Sequence, residues 1–274
     1  MRAKRFFKYL ILGALISCIP LASQFVTAFY ECLVAFIVHG GPLSYASLMD
    51  LITNTVLALS SALVIGGGLI YAFGKRGSAL ENLHYRRIPY EIILPCVILG
   101  FTLGSAFDFS YLSPAAAEQG SAYMEALGSS PLSILDIVLL GPIAEELFYR
   151  GFALNEMRKG MPAVPAILIC ALLFGLGHAD GGILYVVDAG AMGVVLGLIA
   201  VKTDSIIPGT IAHIANNALA MVLTGIEVDT LGAVIINVAA LAVTAAAIVW
   251  IWRTVNRERA CGVTPPGTPP QPQG

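Results

Sequence analysis

Charge is what this 274-residue chain has least of. Asp, Glu, Lys and Arg make up 12% of it, 57% is hydrophobic, and the mean hydropathy is +0.83. A soluble domain carries roughly 25% charged residues. The deficit excludes an ordinary water-soluble fold and predicts an all-α, polytopic membrane bundle. The few basic residues form no stripe, so nucleic acid is not an expected partner. The five cysteines show no CxxC spacing and four of them lie in apolar runs. They read as small buried hydrophobes, which excludes a zinc knuckle or a disulfide framework. GxSxG and HExxH are both missing, and no buried Ser/Lys dyad stands out. The signatures of serine, cysteine and standard zinc proteases are therefore absent. Nothing repeats at a fixed period, and no inverted halves of the transporter type are visible.

What is present is a series of apolar runs of spanning length, about 20 residues, at roughly 6–38, 48–74, 90–108, 132–152, 163–178, 183–201, 205–222 and 231–252. The first is too long for one straight crossing and carries Pro20, so it must tilt, kink or project. With eight spans and a cytoplasmic amino terminus, all fifteen Lys and Arg residues fall in internal segments. The external loops hold Asp108, Glu118, Glu125, Asp180, Glu227 and Asp229 but no base. That asymmetry is the positive-inside pattern. The start of the chain mimics a lipoprotein signal ending at Cys18. Cleavage there, or a split of the first run into two spans, would place Lys75 to Arg87 outside, so an uncleaved single span is expected. Both termini are then cytoplasmic. A single membrane domain is expected over 1–259 with its functional core at about 132–222, followed by a disordered Pro-rich tail at 260–274.

Residues 141–158, GPIAEELFYRGFALNEMR, break the apolar pattern. An ionised group inside a membrane helix costs at least a few kcal/mol unless it is paired or faces water. Glu146 and Arg150 are spaced i,i+4 and can neutralise each other. Glu145 points about 100° away and is left free for chemistry. Helices on either side of Gly160-Met161-Pro162 should run antiparallel, which puts Glu145 and His178 level, each about 20 Å from the turn at 1.5 Å per residue. His213 and Asn217 share one face of the seventh run at a similar depth. Four polar groups on three helices can converge. A carboxylate beside a neutral imidazole can hold and deprotonate a water, while a second imidazole and a carboxamide offer donors to an oxyanion.

Glu145-Glu146-x-x-x-Arg150, Phe174-x-x-x-His178 and His213-x-x-x-Asn217, in that order on successive hydrophobic helices, resemble the three motifs of the CAAX protease and bacteriocin-processing family of intramembrane glutamyl proteases. The resemblance covers about 141–217. It implies an eight-helix, metal-independent and cofactor-free endopeptidase in which Glu145 activates water with His178. His213 and Asn217 would form the oxyanion hole, and Glu146 and Arg150 would support the site. Phe174 reads as packing. The expected partners are membrane lipid and a membrane-associated, possibly prenylated, peptide, and the expected location is a prokaryotic plasma membrane.

Three other readings stay open on the residues alone. Two histidines and a glutamate are a legitimate zinc set, which would make a metalloprotease. The same buried acid and imidazoles could form a transporter's proton relay, or the site could be vestigial in a membrane scaffold. The bland reading of Glu146 and Arg150 is a structural ion pair, that of His178 is a loop histidine in the turn-rich GLGHADGG, and that of His213 with Asn217 is interhelical hydrogen bonding. Gly193-x-x-x-Gly197 reads as a close helix contact.

Overall fold

The computed structural model describes residues 2–41, 44, 47, 55–75, 81, 83–126, 130–223, 226 and 228–261. The Pro-rich tail from 262, Arg76, Glu227 and the first part of the second apolar run lie outside the described residues. Among those described the chain is predominantly helical, with no strand.

The first run folds as α1 (Arg2–Ser17) and α2 (Ile19–His39), interrupted at Cys18. Pro20 has no N–H to continue the hydrogen-bond ladder, and bonds from Cys18 N to Ala14 O and from Ala22 N to Cys18 O carry the chain across the break. The 36 residues from Ala3 to Val38 would extend about 54 Å at 1.5 Å each, well beyond a hydrocarbon core of about 30 Å. The two halves accordingly pack on different neighbours. α1 lies along the end of the motif-bearing helix, with Gly13 closing on Met157 and the Arg5 Nε–H donating to Lys159 O at 3.1 Å, while α2 rests on α3 (Leu57–Gly74).

The rest comprises α4 (Ile93–Phe107), α5 (Pro114–Ala126), α6 (131–158), α7 (Ala163–Leu176), α8 (Ile183–Thr203), α9 (Ile207–Leu223) and α10 (Thr230–Ala260). α4 packs against both α9 and α10, and α7 packs against α8. Glycines set these crossings. A Cβ on Gly193 would lie 3.1 Å from Ala171, and one on Gly197 3.0 Å from Ile167, so the spacing read from sequence is a close α7–α8 contact. At the α4–α9 crossing Gly100 meets the Ala212 carbonyl and Gly104 meets Asn216. Leu99, Leu103, Met157, Phe174, Leu196, Ile199 and Ile251 fill the centre. Phe25, Phe29, Ile37, Ile70 and Phe73 stand exposed on the outside, where a lipid environment and not water would favour them.

Among the described residues five helices are long and apolar enough to cross a membrane: Ala3–Val38, Leu57–Gly74, Tyr90–Leu112, Ile183–Thr203 and Thr230–Ala260. Ala163–Leu176 and Ile207–Leu223 are apolar but shorter, and α6 carries the charged motif. At 1.5 Å per residue α7 is only about 21 Å long. The span between the fourth and sixth elements is also richer than expected. The segment 109–131, read as a plain acidic loop, contains a 3₁₀ turn at Ser110–Leu112 and the helix α5. Pro114 at its start suits a first helical turn, and PAAAEQ favours helix without being apolar enough to span.

One end of the bundle gathers the basic segments. Arg86 pairs with Asp204, Arg257 lies 3.7 Å from Glu91, and Arg259 donates to Lys202 O at 2.7 Å. At this end the turn residues 204–206 are tied to the 83–89 segment. Besides the Arg86–Asp204 pair, Ser205 Oγ donates to Arg86 O and Ile206 N to His84 O. This fixes the start of α9, the helix that carries His213 and Asn217.

Candidate active site

α6 is a continuous helix with two π-helical stretches, Asp136–Leu140 and Glu146–Ala153, on either side of Glu145. π-bulges widen a helix by one residue and leave backbone groups to be satisfied elsewhere. Gly141 N bonds back five residues to Asp136 O. The next carbonyl, Ile137 O, would await the N–H of residue 142, which is a proline and has none. It accepts instead from Asn217 Nδ2 at 2.8 Å. At the other stretch, Asn155 Nδ2 donates to the carbonyls of Arg150 at 3.0 Å and Gly151 at 2.9 Å.

Glu146 and Arg150 form the ion pair that their spacing suggests, with Arg150 Nη1 2.6 Å from Glu146 Oε1. Both are sealed in the core, at 0% and 1% side-chain exposure. Gly209 leaves room for Glu146, since a Cβ there would sit 2.9 Å from Oε2. The Arg150 guanidinium also lies 4.3 Å from the centre of the Phe174 ring, a cation–π contact. Phe174 is fully buried and joins the site together, with its ring 4.7 Å from His178, 5.9 Å from His213 and 5.1 Å from Tyr149.

Glu145 is different. Its side chain is 27% exposed and that of His178 18%, against 2% for His213. One carboxylate is thus locked into the protein and its sequence neighbour is open. His178 lies in the turn just past the end of α7, not within the helix. Its Nδ1 is 2.9 Å from Phe174 O. A carbonyl only accepts, so Nδ1 carries the proton and Nε2 presents a lone pair. That Nε2 is 3.9 Å from Glu145 Oε1. His213 Nδ1 is 3.2 Å from Glu146 Oε1, which as the partner of Arg150 is an acceptor too. In the neutral ring His213 Nε2 then presents a lone pair as well, 3.7 Å from Glu145 Oε2.

With both rings neutral, three acceptors, from α6, the turn after α7 and α9, face one another just beyond direct hydrogen-bonding distance. A water, with two O–H groups, is the donor whose chemistry fits such a set of acceptors. Among the described residues no group of three or more His, Cys, Asp or Glu side chains is arranged to hold a metal ion.

Of the seven residues singled out from sequence, Glu145, Glu146, Arg150, Phe174, His178 and His213 form one connected cluster. Asn217 is on the neighbouring turn of α9, and its bonds run to Ile137 O and to Asn216, 3.2 Å from its Oδ1.

The family comparison matches this same part of the chain. Residues 128–219 fit the model of the family described as Type II CAAX prenyl endopeptidase Rce1-like. This segment is an Rce1-like domain. It spans α6 to α9, about a third of the chain, and holds all seven of those residues. The chain has no significant match among curated proteins or among solved structures. The Rce1-like family is a protease family, and its domain here sits among helices apolar enough to span a membrane, so the chain is an integral, multi-pass membrane protein.

Sequence reasoning missed Asn155, Gly209, Asn216 and the Ile137 carbonyl. Pro142 was the one available signal for the last, because a proline inside a helix always orphans a carbonyl before it.

Proposed function

We propose that this chain is an intramembrane endopeptidase in which Glu145 activates the attacking water. The observation that carries the reading is the triangle of acceptors, Glu145 and the two Nε2 lone pairs, open to the outside only at Glu145 and His178. A water held there donates one O–H to His178 Nε2 and the other to Glu145. As its oxygen attacks the scissile carbonyl carbon, Glu145 takes the proton. The oxyanion formed accepts hydrogen bonds from the free N–H of the Asn217 amide and from His213, whose Nε2, 3.7 Å from Glu145 Oε2, takes over the water proton from Glu145 and hands it back before the amine leaves, an imidazolium that Glu146 supports from Nδ1. The tetrahedral intermediate collapses with cleavage of the C–N bond, and Glu145 returns its proton to the departing amine. The site thus begins and ends the cycle in the same protonation state.

Glu146 and Arg150 hold His213 in this tautomer, and Phe174 packs edge-on against His213 and tilted against His178. The substrate class is a membrane-associated peptide, with prenylated CaaX ends as the first candidates. The same reading has one membrane domain over 1–259, eight spans and both termini in the cytoplasm of a prokaryotic cell. The clustering of basic segments at one end of the bundle supports that orientation.

The test is cleavage of prenylated and non-prenylated membrane-anchored peptides by the purified protein in liposomes, read by mass spectrometry of the products. Glu145→Gln and His178→Ala should each lower kcat at least 100-fold. Full activity of Glu145→Gln would end the assignment. Activity lost to a chelator and restored by zinc would move it to a metalloprotease.

A further inference from the structure

We propose that Asn216 is a positioning residue that fixes which end of the Asn217 carboxamide is presented to the reacting carbonyl; this rests on the oxyanion role given to Asn217 above. A chain of three hydrogen bonds crosses three helices. Gly104 N–H of α4 donates to Asn216 Oδ1 at 2.9 Å, Asn216 Nδ2 donates to Asn217 Oδ1 at 3.2 Å, and Asn217 Nδ2 donates to Ile137 O of α6 at 2.8 Å.

A carboxamide by itself can be turned end over end, exchanging a donor for an acceptor at nearly the same shape. Here both ends of the chain are of fixed sense. A backbone N–H can only donate and a backbone carbonyl can only accept, so the two amides between them have one consistent orientation. Turning Asn217 alone would set its oxygen against Ile137 O at one end and its NH2 against the NH2 of Asn216 at the other. The orientation held in this way directs Asn217 Nδ2 into α6, one N–H on Ile137 O and the second left for a ligand. A donor, and not an oxygen that would repel an oxyanion, is what the site presents.

The surroundings of Asn216 are consistent with this role. A Cβ on Gly104 would lie 2.6 Å from Asn216 Oδ1, so the side chain reaches the α4 backbone only because residue 104 has none of its own. Asn216 bonds to the α4 backbone on one side and to Asn217 on the other, so its influence on the reacting groups passes through Asn217.

Asn216→Asp isolates the link. An aspartate still accepts from Gly104 N–H, yet offers Asn217 Oδ1 a second acceptor where it had a donor. Asn216→Ala removes both bonds without adding charge and serves if the aspartate variant folds poorly. kcat and KM are measured in liposomes on a membrane-anchored peptide for each variant, in the wild type and in an Asn217→Ala background. A positioning role predicts that either substitution lowers kcat by ten-fold or more, leaves KM within about two-fold, and causes no further loss when Asn217 is already alanine. Unchanged kcat, or the same fold-loss in both backgrounds as a merely structural residue would give, overturns the proposal. If Asn217→Ala alone keeps wild-type kcat, the oxyanion role of Asn217 has failed and this proposal falls with it. If Asn217→Ala is impaired and Asn216 is silent, only the positioning claim is lost.

Discussion

Glu145 and Glu146 are adjacent in sequence and opposite in circumstance, and stability measurements should separate them. Glu146 and Arg150 are paired at 2.6 Å with essentially no exposure. Removing one partner of such a pair leaves a buried charge without compensation, at a cost of about 3–5 kcal/mol. Arg150→Met further removes the guanidinium from the Phe174 ring, where it lies 4.3 Å from the centroid, an interaction of about 0.5–2 kcal/mol. Replacing both partners with apolar side chains of similar volume removes the charges and their desolvation together, and is often neutral or stabilising. Glu146→Leu and Arg150→Met should therefore each destabilise by about 3–5 kcal/mol, and the double variant by less than either, giving a coupling of about 3 kcal/mol or more. Glu145→Leu, at a side chain 27% exposed and without a charged partner in contact, should cost less than about 1 kcal/mol. The assay is denaturant titration in mixed micelles, followed by the fluorescence of Trp250 and Trp252 in α10. Single losses below about 1 kcal/mol, or a double variant equal to the sum of the singles, would refute the pairing argument.

Gly209→Ala puts a Cβ 2.9 Å from Glu146 Oε2, and with Oε1 already held by Arg150 and His213 the carboxylate cannot yield. The loss should be about 1–3 kcal/mol, where an unconstrained helix glycine would gain up to about 1 kcal/mol from the same change; thermal melting in detergent decides the sign. Gly100→Ala drives a methyl into the Ala212 carbonyl and should separate α4 from α9, seen as loss of folded protein on size exclusion. His84, in the segment that clamps the start of α9, is pushed from its ordinary 6.5 down to about 4, first by burial and then by the Arg86 charge. Between those values the unfolded chain binds a proton that the folded protein does not, so stability is intact above pH 6.5 and falls as the pH drops towards 4, by at most about 3 kcal/mol. His84→Asn, which tolerates the positive φ of 58° at this position, should flatten that slope.

The sequence made five of the apolar runs legible because each is a block of spanning composition, and the level of Glu145 against His178 followed from counting rise outward from the Gly160-Met161-Pro162 turn. The Glu146–Arg150 pair was legible for the same local reason, since i,i+4 neighbours share a face even where the helix widens. What could not be read was set by non-local register. The partner of Asn217 is a carbonyl on α6 that is free only because Gly141 bonds five residues back and Pro142 cannot bond at all. Likewise, His213 spaced four from Asn217 suggested a shared oxyanion role. Its contact with Glu146, which sets the tautomer, depends on the α6–α9 approach that Gly209 permits. α5 was missed because its helix-forming residues are too polar for a span.

The central claim is that Glu145 delivers water directly to the peptide bond, and one single-turnover reaction in water enriched in oxygen-18 tests it. With enzyme in excess over a membrane-anchored peptide, the account predicts one heavy oxygen in the new C-terminal carboxylate and none in the enzyme fragment that contains Glu145. An unlabelled product with the label on Glu145 would mean that this carboxylate attacked the carbonyl itself and was then hydrolysed, contradicting the water-activating role.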